Sequence, residues 1–344
     1  MSVAEDSGRV PDAGNDLDLV GFGSMVLDRM HQTRRILGPN EKGLLEPVAG
    51  GGPVEACIGG LMLNQLGWAS LFGVRAGIFG RQADDDVGRL LREAMHRAGI
   101  ETDLDLTGSA SSLAEIFIDR AGERVIYMAA GATAETRPEH VRGNHQKFIR
   151  RGRRLTTEIS QLPLDTTFAA LKLAHELGLA TVVDLDVLPS DVIVGLADRG
   201  SFDAILREAD LLKPTATAAR ELFPEEAELE GVAEQIREAY SVPRVLITDG
   251  ERGALLADDD GVRWIPAYRA ARVVDSTGAG DAFLGGYLAG EALGLPAVEA
   301  VKLGNASGAA CVERLGAFPD EPKPLRERIL EVYDGTLPSR MDPK

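Results

Sequence analysis

Short apolar segments rich in β-branched residues alternate with longer segments of helical spacing along most of this 344-residue chain. The runs at 17–23 and 179–186 predict strands, whereas 84–99 and 162–178 predict helices. Strands separated by helices must be joined by crossover connections, and these place helices on both faces of a parallel sheet. The chain is therefore predicted to be an α/β protein, with a length that suits one large domain or two domains.

Composition and charge exclude several classes of protein. The 37 basic and 54 acidic side chains give a net charge of −17, and no basic, aromatic-laced segment indicates nucleic-acid binding. No apolar run approaches the length of a membrane span. Cys57 and Cys311 cannot form a disulfide framework, which indicates a reducing compartment, and no histidine or cysteine spacing suggests zinc. We expect a cytoplasmic protein that binds neither nucleic acid nor membrane.

The two ends and one internal region differ from the alternating pattern. Residues 1–16 form a polar, acidic tail predicted to be disordered rather than a signal peptide, and residues 335–344 form a second tail. The stretch 29–60 contains short β-prone pieces, prolines and many glycines, and two paired strands are predicted within 113–130. Together these two stretches predict a small flap, or lid, of strands outside the main sheet of a 17–334 domain, with a surface loop as the alternative for 29–60.

The stretch RVVDSTGAGDAFLGGYLAG, residues 272–290, predicts a glycine turn that leads into a helix. Backbone N–H groups at a helix N-terminus bind anions, and Gly278 and Gly280 allow a ligand to approach the backbone closely. Asp281 lies in the first helical turn, where it could accept a proton from a hydroxyl that attacks phosphorus. Taken alone, the pattern also fits a capping Asp or a nucleotide-binding module without chemistry.

The segment VVDSTGAGDAF resembles the C-terminal signature of the ribokinase, or PfkB, family of sugar and nucleoside kinases. That signature reads roughly Asp-Thr-Thr-Gly-Ala-Gly-Asp-Ala-Phe, and Ser276 is a mild variant of it. The resemblance implies a ribokinase-like three-layer α/β/α fold with a β lid, and an ATP-dependent kinase that phosphorylates an alcohol group. It further implies that Asp281 is the catalytic base, and that Gly278, Ala279 and Gly280 form the anion hole for the transferred phosphoryl group.

Two segments nearer the N-terminus also resemble the family. GGLMLNQLGWASLFG, residues 59–73, is similar to its Gly-Gly signature, and GFGSMVLDRM is similar to its first strand, which ends in a substrate-binding Asp. The resemblance implies that Asp28, Gly60 and Asn64 bind the substrate, as acceptors and donors for adjacent hydroxyls. Asp28 or Asn64 alone would also be explained as a capping or turn residue. The expected substrate is a small sugar or polyol, with a nucleoside as the alternative.

Nucleotide contacts are implied in the same way. LITDGERGALL is similar to a family strand ending Thr-x-Gly-x-x-Gly, and GNASGAACVERLGA is similar to the late helix whose Asn lies near the adenine. Without the resemblance, the glycines would be explained by a tight hairpin and the Asn by an intrahelical polar residue. The nucleotide contacts are expected at the following residues: Thr215, Thr248, Gly250, Gly253 and Asn305.

The same resemblance implies ATP and Mg²⁺, a monovalent cation such as K⁺ near Asp275, and a homodimer that pairs its lids. Two motifs depart from the family. The family's central strand often ends Asp-Pro-Asn-x-Arg, whereas this chain reads Asp-Leu-Asp-Val-Leu from Asp184. The family's Lys-x-Asn-x-x-Glu pattern, tied to magnesium and phosphate, reads Lys-Pro-Thr-Ala-Thr-Ala from Lys213, so Thr215 keeps an oxygen but Ala218 has no carboxylate. Asp184, Asp186 and Glu221 are candidate replacements. A kinase-fold binding protein with weak or no catalysis is therefore a further alternative.

Two other features have alternative explanations. VGFGSM could be taken for a dinucleotide fingerprint, but it lacks the third glycine, and a dehydrogenase is disfavoured for that reason. HQKFIRRGRRL, residues 145–155, is strongly basic in an acidic chain. It predicts either a phosphate or partner contact or a solvated loop that offsets nearby acids, and we favour the loop.

Overall fold

The computed structural model describes residues 15–48, 51–52, 54–120, 123–160, 162–195 and 198–338. Most of the predicted tails at 1–16 and 335–344 lies outside the described residues. The strands are β1 (Leu17–Phe22), β2 (Val26–Thr33), β3 (Leu45–Glu46), β4 (Glu55–Gly59), β5 (Ala76–Ala83), β6 (Glu101–Thr107), β7 (Ser112–Ile118), β8 (Arg124–Ala129), β9 (Gly152–Glu158), β10 (Ala180–Leu185), β11 (Leu211–Pro214), β12 (Arg244–Thr248), β13 (Ala254–Asp258) and β14 (Gly261–Ile265).

The α-helices are α1 (Leu61–Ser70), α2 (Asp86–Arg97), α3 (Pro138–His140), α4 (Gln146–Ile149), α5 (Leu164–Glu176), α6 (Pro189–Gly195), α7 (Arg199–Leu206), α8 (Ala216–Leu222), α9 (Leu229–Tyr240), α10 (Ala279–Ala292), α11 (Ala297–Cys311) and α12 (Pro322–Val332). Short 3₁₀ segments at Gly131–Glu135 and Gly250–Arg252 and a π-helical turn at Val141–His145 complete the regular structure of the described residues.

The main sheet has nine strands in the order β14-β13-β12-β11-β10-β9-β1-β5-β6. The seven strands from β12 to β6 are parallel, and β13 and β14 are added antiparallel at one edge. Parallel strands end at a common edge, so the residues that follow β1, β9, β10, β11 and β12 converge there. Ligands bind at this carboxyl edge in open α/β sheets.

Helices cover both faces of the main sheet. Adjacent strand residues face opposite layers: Val182 packs into a core with α1, α10 and α11, whereas Val183 packs into a second core with α5, α7 and α9. The predicted three-layer α/β/α architecture is confirmed. No helix in the described part of the chain is both long enough and apolar enough to cross a membrane.

A second sheet of five strands, which we call the lid, consists of β2, β3, β4, β7 and β8. β2 pairs with β4 and β3 antiparallel and with β7 in parallel, and β7 and β8 form an antiparallel pair. Because strand side chains alternate in direction, Asp28, Met30, Ala114 and Ile116 share one face of the lid. The last three of these, with Val26, form a small apolar core of their own.

The basic segment 145–155 is not a solvated loop, so the favoured prediction for it is wrong. Its first half continues into α4, and its second half opens β9, a central strand between β10 and β1. The charges are tolerated because the first residues of β9 lie at the amino edge of the sheet, where side chains reach carboxylates. Arg151 pairs with Asp16 and Glu101, and Arg154 pairs with Glu291.

Candidate active site

The turn at 278–281 lies at the start of α10. Gly278 is the N-cap in the left-handed conformation, with φ of +76°, and Ala279–Gly280–Asp281 form the first turn of the helix. A side chain at Gly278 would be strained by this φ, and its Cβ would lie 2.3 Å from the Cβ of Ala317. The geometry leaves the first backbone N–H groups of α10 free of intrahelical partners.

Asp281 is buried at the base of this turn, 9% exposed. Asn64 Nδ2, on α1, donates a hydrogen bond of 2.8 Å to Asp281 Oδ2. Burial raises the pKa of Asp281 well above its usual range, and the negative charge of Asp186 raises it further, whereas the bond from Asn64 lowers it. The side chain is therefore a much stronger base, when ionised, than a solvated carboxylate.

A buried ammonium lies under the turn. Lys213 and Asp184 are both fully buried, and Lys213 Nζ lies 3.0 and 3.2 Å from the two carboxylate oxygens of Asp184. A Cβ added at Gly280 would lie 3.1 Å from Lys213 Nζ, so the ammonium is directly beside the backbone of the glycine turn. Burial disfavours the charge on Lys213, but the carboxylates of Asp184 and Asp186 outweigh this effect and raise its pKa.

Gln65 completes this buried group, although none of the sequence motifs singled it out. Its Nε2 donates 2.7 Å to Asp184 Oδ2, and its Oε1 accepts from Thr156 Oγ1 at 3.4 Å. Gln65 directly follows Asn64 on α1, so the same helix turn contacts both Asp281 and Asp184. An Asn-Gln pair facing the carboxyl edge of a sheet is a local signal that could have been noticed.

Glu158 is a further buried acid of this region, and sequence reasoning missed it because most of its strand was taken for part of a loop. It ends β9, is fully buried, and accepts from Ser24 N and Ser24 Oγ at 3.1 Å each and from Ser160 Oγ at 2.7 Å. Burial raises the pKa of Glu158 to about 7, against the effect of these donors. The group fixes the chain between β1 and β2, where the lid begins.

Asp28 lies on β2 of the lid, rather than at the end of the first strand as the resemblance suggested. Its carboxylate packs against Gly59: a Cβ there would lie 2.1 Å from Asp28 Oδ2. Burial and the negative charge of Asp275 raise the pKa of Asp28 to about 7. Gly60 caps α1 with φ of +97°, and a Cβ there would lie 2.6 Å from the carbonyl oxygen of Ser24. The structure thus brings Asp28, Gly60 and Asn64 to the start of α1.

A cavity of about 910 Å³ opens beside the turn. Ala279 and Gly280 line this cavity, together with Phe283 one turn further along α10. The same cavity is lined by every residue expected to contact a nucleotide, namely Thr215, Thr248, Gly250, Gly253 and Asn305. These residues come from the N-cap of α8, from β12, from the β12–β13 hairpin and from α11, and the fold therefore gathers five positions that lie in different parts of the sequence.

Two of these residues have defined local roles as well. Asn305 Nδ2 donates to the carbonyl oxygens of Ile265 and Pro266, at 3.1 and 3.0 Å, so it fixes the cavity wall after β14. Thr215 caps α8 by accepting from Ala218 N at 3.2 Å. Gly250 and Gly253 form the predicted hairpin turn, with φ of +50° and +101°.

The candidate replacements for the missing magnesium-linked acid occupy three different environments. Asp184 is bound to Lys213, and Glu221 accepts a hydrogen bond from Ser190 N at 2.6 Å. Asp186 is exposed at the end of β10, lines the cavity and raises the pKa of Asp281 by its charge. No group of three or more His, Cys, Asp or Glu in the described residues forms a ready-made metal site. One carboxylate beside phosphate oxygens nevertheless suits Mg²⁺, which keeps several waters.

The fold and this site define the structural class. The chain superimposes on the ribokinase of Thermotoga maritima with a TM-score of 0.77 at 24% identity, over 93% of this chain and all of that one. It superimposes on an Arabidopsis thaliana ribokinase complexed with ribose and ATP with a TM-score of 0.78 at 21% identity, over 93% and 99% of the two chains. The protein has the ribokinase fold.

The family follows from the sequence comparison. Residues 18–324 match the model of the pfkB family carbohydrate kinases, and the chain belongs to that family. It is 26% identical to the probable fructokinase-5 of Arabidopsis thaliana, over 89% of this chain and 94% of the relative. It is 24% identical to the 5-dehydro-2-deoxygluconokinase of Geobacillus thermodenitrificans, over 88% and 89% of the two chains.

Proposed function

We propose that this carbohydrate kinase transfers the γ-phosphoryl group of ATP to a hydroxymethyl or other alcohol group of a small sugar or polyol. The observation that carries the proposal is the geometry of Asn64. Its Nδ2 is bound to Asp281, while its Oδ1 is buried and has no hydrogen-bond partner in the described residues. A buried acceptor without a donor is costly, and a substrate hydroxyl held next to Asp281 would satisfy it.

Asp281 is the proposed general base. A substrate hydroxyl that donates to Asn64 Oδ1 would place a neighbouring hydroxyl, the one that reacts, within reach of the carboxylate that Asn64 Nδ2 orients, and this second hydroxyl would donate its proton to Asp281. Asp281 would take the proton as the hydroxyl oxygen attacks the γ-phosphorus, and the bond from phosphorus to the β,γ-bridging oxygen would break. Asp28 faces the start of α1 from the lid, so its carboxylate would accept hydrogen bonds from hydroxyl groups on the other side of the substrate.

The anion hole is proposed to be the backbone of Gly278, Ala279 and Gly280. The first N–H groups of α10, which have no partner within the helix, and the positive end of the helix favour negative charge, and Lys213 adds a buried positive charge beside Gly280. A buried cation is poorly screened, so it stabilises the developing charge on the transferred group although it does not touch it. Asp184 and Gln65 hold that ammonium in place.

ATP would occupy the cavity of about 910 Å³, with Gly250, Gly253 and Asn305 along its wall. Asp186 would hold Mg²⁺, which neutralises phosphate charge when bound. The cavity lies beside the anion-hole turn, so the γ-phosphate would lie at the start of α10, towards Asp281, and the adenine would lie at the opposite end of the cavity. This arrangement sets donor and acceptor on opposite sides of the turn.

A sugar or polyol is favoured over a nucleoside by the aromatic residues nearby. A nucleoside requires an apolar or aromatic slot for its base. Trp68, Phe72 and Phe79, which lie near the N-terminal signature, are each buried in the core at 1% exposure or less. Trp68 Nε1 is also bound to the carbonyl oxygen of Ala317 at 2.8 Å. These rings therefore do not line a base slot.

Specific structural features disfavour the two other hypotheses, a dehydrogenase and a non-catalytic binding protein. A dinucleotide fingerprint requires a helix after the first strand, but here β1 is followed by three residues, 23–25, and then by the lid strand β2. A binding protein without catalysis would not require the intact pairing of Asn64 with Asp281. We therefore retain the kinase, with the non-catalytic alternative as an outcome of the test below.

The test is a panel of sugars, polyols and nucleosides with ATP and Mg²⁺, read by ADP release. We expect turnover of at least one sugar or polyol, abolished in Asp281→Asn with ATP binding retained. Asp165→Asn is the matched control, because Asp165 is an exposed acid in the first turn of another helix, α5. Near-normal turnover in Asp281→Asn would refute the assignment of the base. Silence across the panel with retained ligand binding would favour the non-catalytic alternative.

A homodimer through the lid is proposed from exposed apolar side chains. Tyr127 is 65% exposed and lies on the lid face opposite Asp28, next to Phe117, while Leu44 is 91% exposed nearby. Burying this surface in a second copy would remove apolar area from water. Light scattering after size exclusion should show a dimer that Tyr127→Glu dissociates. A wild-type monomer at micromolar concentration would contradict the proposal.

A further inference from the structure

A lid arginine reaches the segment just before the anion hole. Arg124 is the first residue of β8, and its Nη1 donates to Thr277 Oγ1 and lies 3.8 Å from Asp275 Oδ1. Asp275 and Thr277 directly precede Gly278, the N-cap of α10. The lid sheet and the segment that leads into α10 are therefore joined by a charged side chain.

The environment of Asp275 does not fit a monovalent cation. Its Oδ1 accepts from Thr277 N at 2.9 Å and its Oδ2 accepts from Gly316 N at 3.3 Å, so both oxygens already have donors. The side chain is 11% exposed, and the guanidinium of Arg124 supplies a positive charge beside it. A cation bound there would have to displace or repel that guanidinium.

We propose that Arg124 replaces a monovalent cation at Asp275 and is a positioning residue that holds the anion-hole turn when the lid is in place. The inference rests on the proposed function for the role of that turn. In the described residues Arg124 makes no hydrogen bond or ion pair with the three expected substrate positions, Asp28, Gly60 and Asn64, so it acts through Asp275 and Thr277. Their backbone leads directly into Gly278, whose left-handed conformation sets the direction of the first N–H groups of α10.

The chemistry of a guanidinium suits this task. Its several N–H donors are fixed in one plane, so it can bind a hydroxyl and face a carboxylate at the same time, whereas a spherical cation requires a cage of oxygen ligands. Arg124 and Asp28 lie on the same lid sheet. A lid movement that brings Asp28 to the substrate would therefore also bring the positive charge to Asp275, and would couple substrate binding to the phosphate site.

Arg120 provides a matched control. It belongs to the same hairpin as Arg124, but it pairs with Glu46, another lid residue, at 2.5 Å, and its side chain is 67% exposed. Arg120→Ala removes an arginine from the lid without touching the anion-hole turn. A general effect of lid charge or lid stability would appear in both variants, whereas the proposed effect would appear in Arg124→Ala alone.

The experiment compares wild type, Arg124→Ala, Arg124→Lys and Arg120→Ala in KCl and in choline chloride of equal ionic strength. Two quantities are measured: the midpoint of thermal unfolding, and kcat with KM for a substrate identified in the panel. We expect wild type and Arg120→Ala to be indifferent to K⁺. Arg124→Ala should lose about tenfold or more in kcat, with a smaller change in KM for the sugar, and should be stabilised and partly reactivated by K⁺ specifically. Arg124→Lys should keep part of the wild-type kcat without K⁺, because the lysine retains a positive charge.

Several results would overturn the inference. These are K⁺-specific stabilisation or activation of wild type, an unchanged kcat in Arg124→Ala, equal losses in Arg124→Ala and Arg120→Ala, or a loss in Arg124→Ala that K⁺ does not relieve. If no substrate turns over, the proposed function fails separately. The unfolding midpoints still decide the inference in that case: K⁺ must stabilise Arg124→Ala and not wild type.

Discussion

Asn64 Nδ2 and Asp281 Oδ2 are 2.8 Å apart, although 217 residues separate them in the chain. The bond joins α1 to the first turn of α10, and both helices pack in the same buried core. It orients the carboxylate, and the remaining amide oxygen of Asn64 points to no partner in the described residues. This pair therefore links the expected substrate position to the expected base.

Asn64→Leu should move the acid limb of kcat/KM to higher pH. The hydrogen bond from Asn64 lowers the pKa of Asp281, which burial has raised well above its usual range. Asp281 must be ionised to accept a proton, so activity is lost as pH falls through its pKa, and removal of the bond raises that pKa further. A pH profile of kcat/KM tests this, with Asn144→Leu as control, since Asn144 makes a similar bond to Asp105 on the surface. Identical profiles for Asn64→Leu and wild type would contradict it.

Lys213→Met should lower kcat by about a hundredfold and also destabilise the fold, because it leaves Asp184 buried without a counter-ion. The double variant Asp184→Asn with Lys213→Met separates the two effects. Removal of both charges should recover most of the stability, but the missing positive charge beside Gly280 should keep kcat low. Stability from chemical denaturation and kcat are measured on the same samples. Full recovery of kcat in the double variant would show that the pair has a structural role alone.

Gly278→Ala should be far more damaging than Gly73→Ala. The two glycines have nearly the same φ, +76° and +74°, so the cost of the left-handed conformation is about 1 kcal/mol in each. A Cβ at Gly73 meets nothing within 4 Å, whereas one at Gly278 lies 2.3 Å from the Cβ of Ala317. Unfolding free energies should differ by roughly 1–3 kcal/mol, as for overpacking, and ATP binding should weaken in Gly278→Ala alone. Equal losses of unfolding free energy in the two variants would show that the contact with Ala317 does not contribute.

Glu158→Gln should weaken the dependence of stability on pH. Burial raises the pKa of Glu158 from 4.5 to about 7, so the folded state favours the protonated acid. The stability this group contributes is fully present below pH 4.5 and is lost as pH rises to about 7, on the order of 3 kcal/mol. Glu158→Gln should therefore gain stability relative to wild type at pH 8 and not at pH 4.5. Denaturation curves at several pH values test this, with the exposed Glu238→Gln as control. A constant difference across pH would rule out the titration.

The sequence by itself determined the local geometry and the family. The glycine turn and the acid that follows it, residues 278–281, are close neighbours in the sequence. Local backbone geometry therefore suffices to place them together at a helix N-terminus. The alternation of strands and helices likewise predicted the layered sheet, because burial of each element's apolar side depends on its own periodicity. The periodicity did not predict strand β9, because the arginines at its start, at the amino edge of the sheet, obscured the apolar pattern.

Tertiary structure alone decided which distant groups meet. The sequence offered Asp184, Asp186 and Glu221 as equivalent acids, and the fold paired the first with Lys213, placed the second on the cavity and bound the third to Ser190. The contact between Arg124 and Asp275 could not be predicted from the sequence either. The physical reason is that these contacts depend on strand order and on how the lid sits over the main sheet, and no local periodicity encodes either.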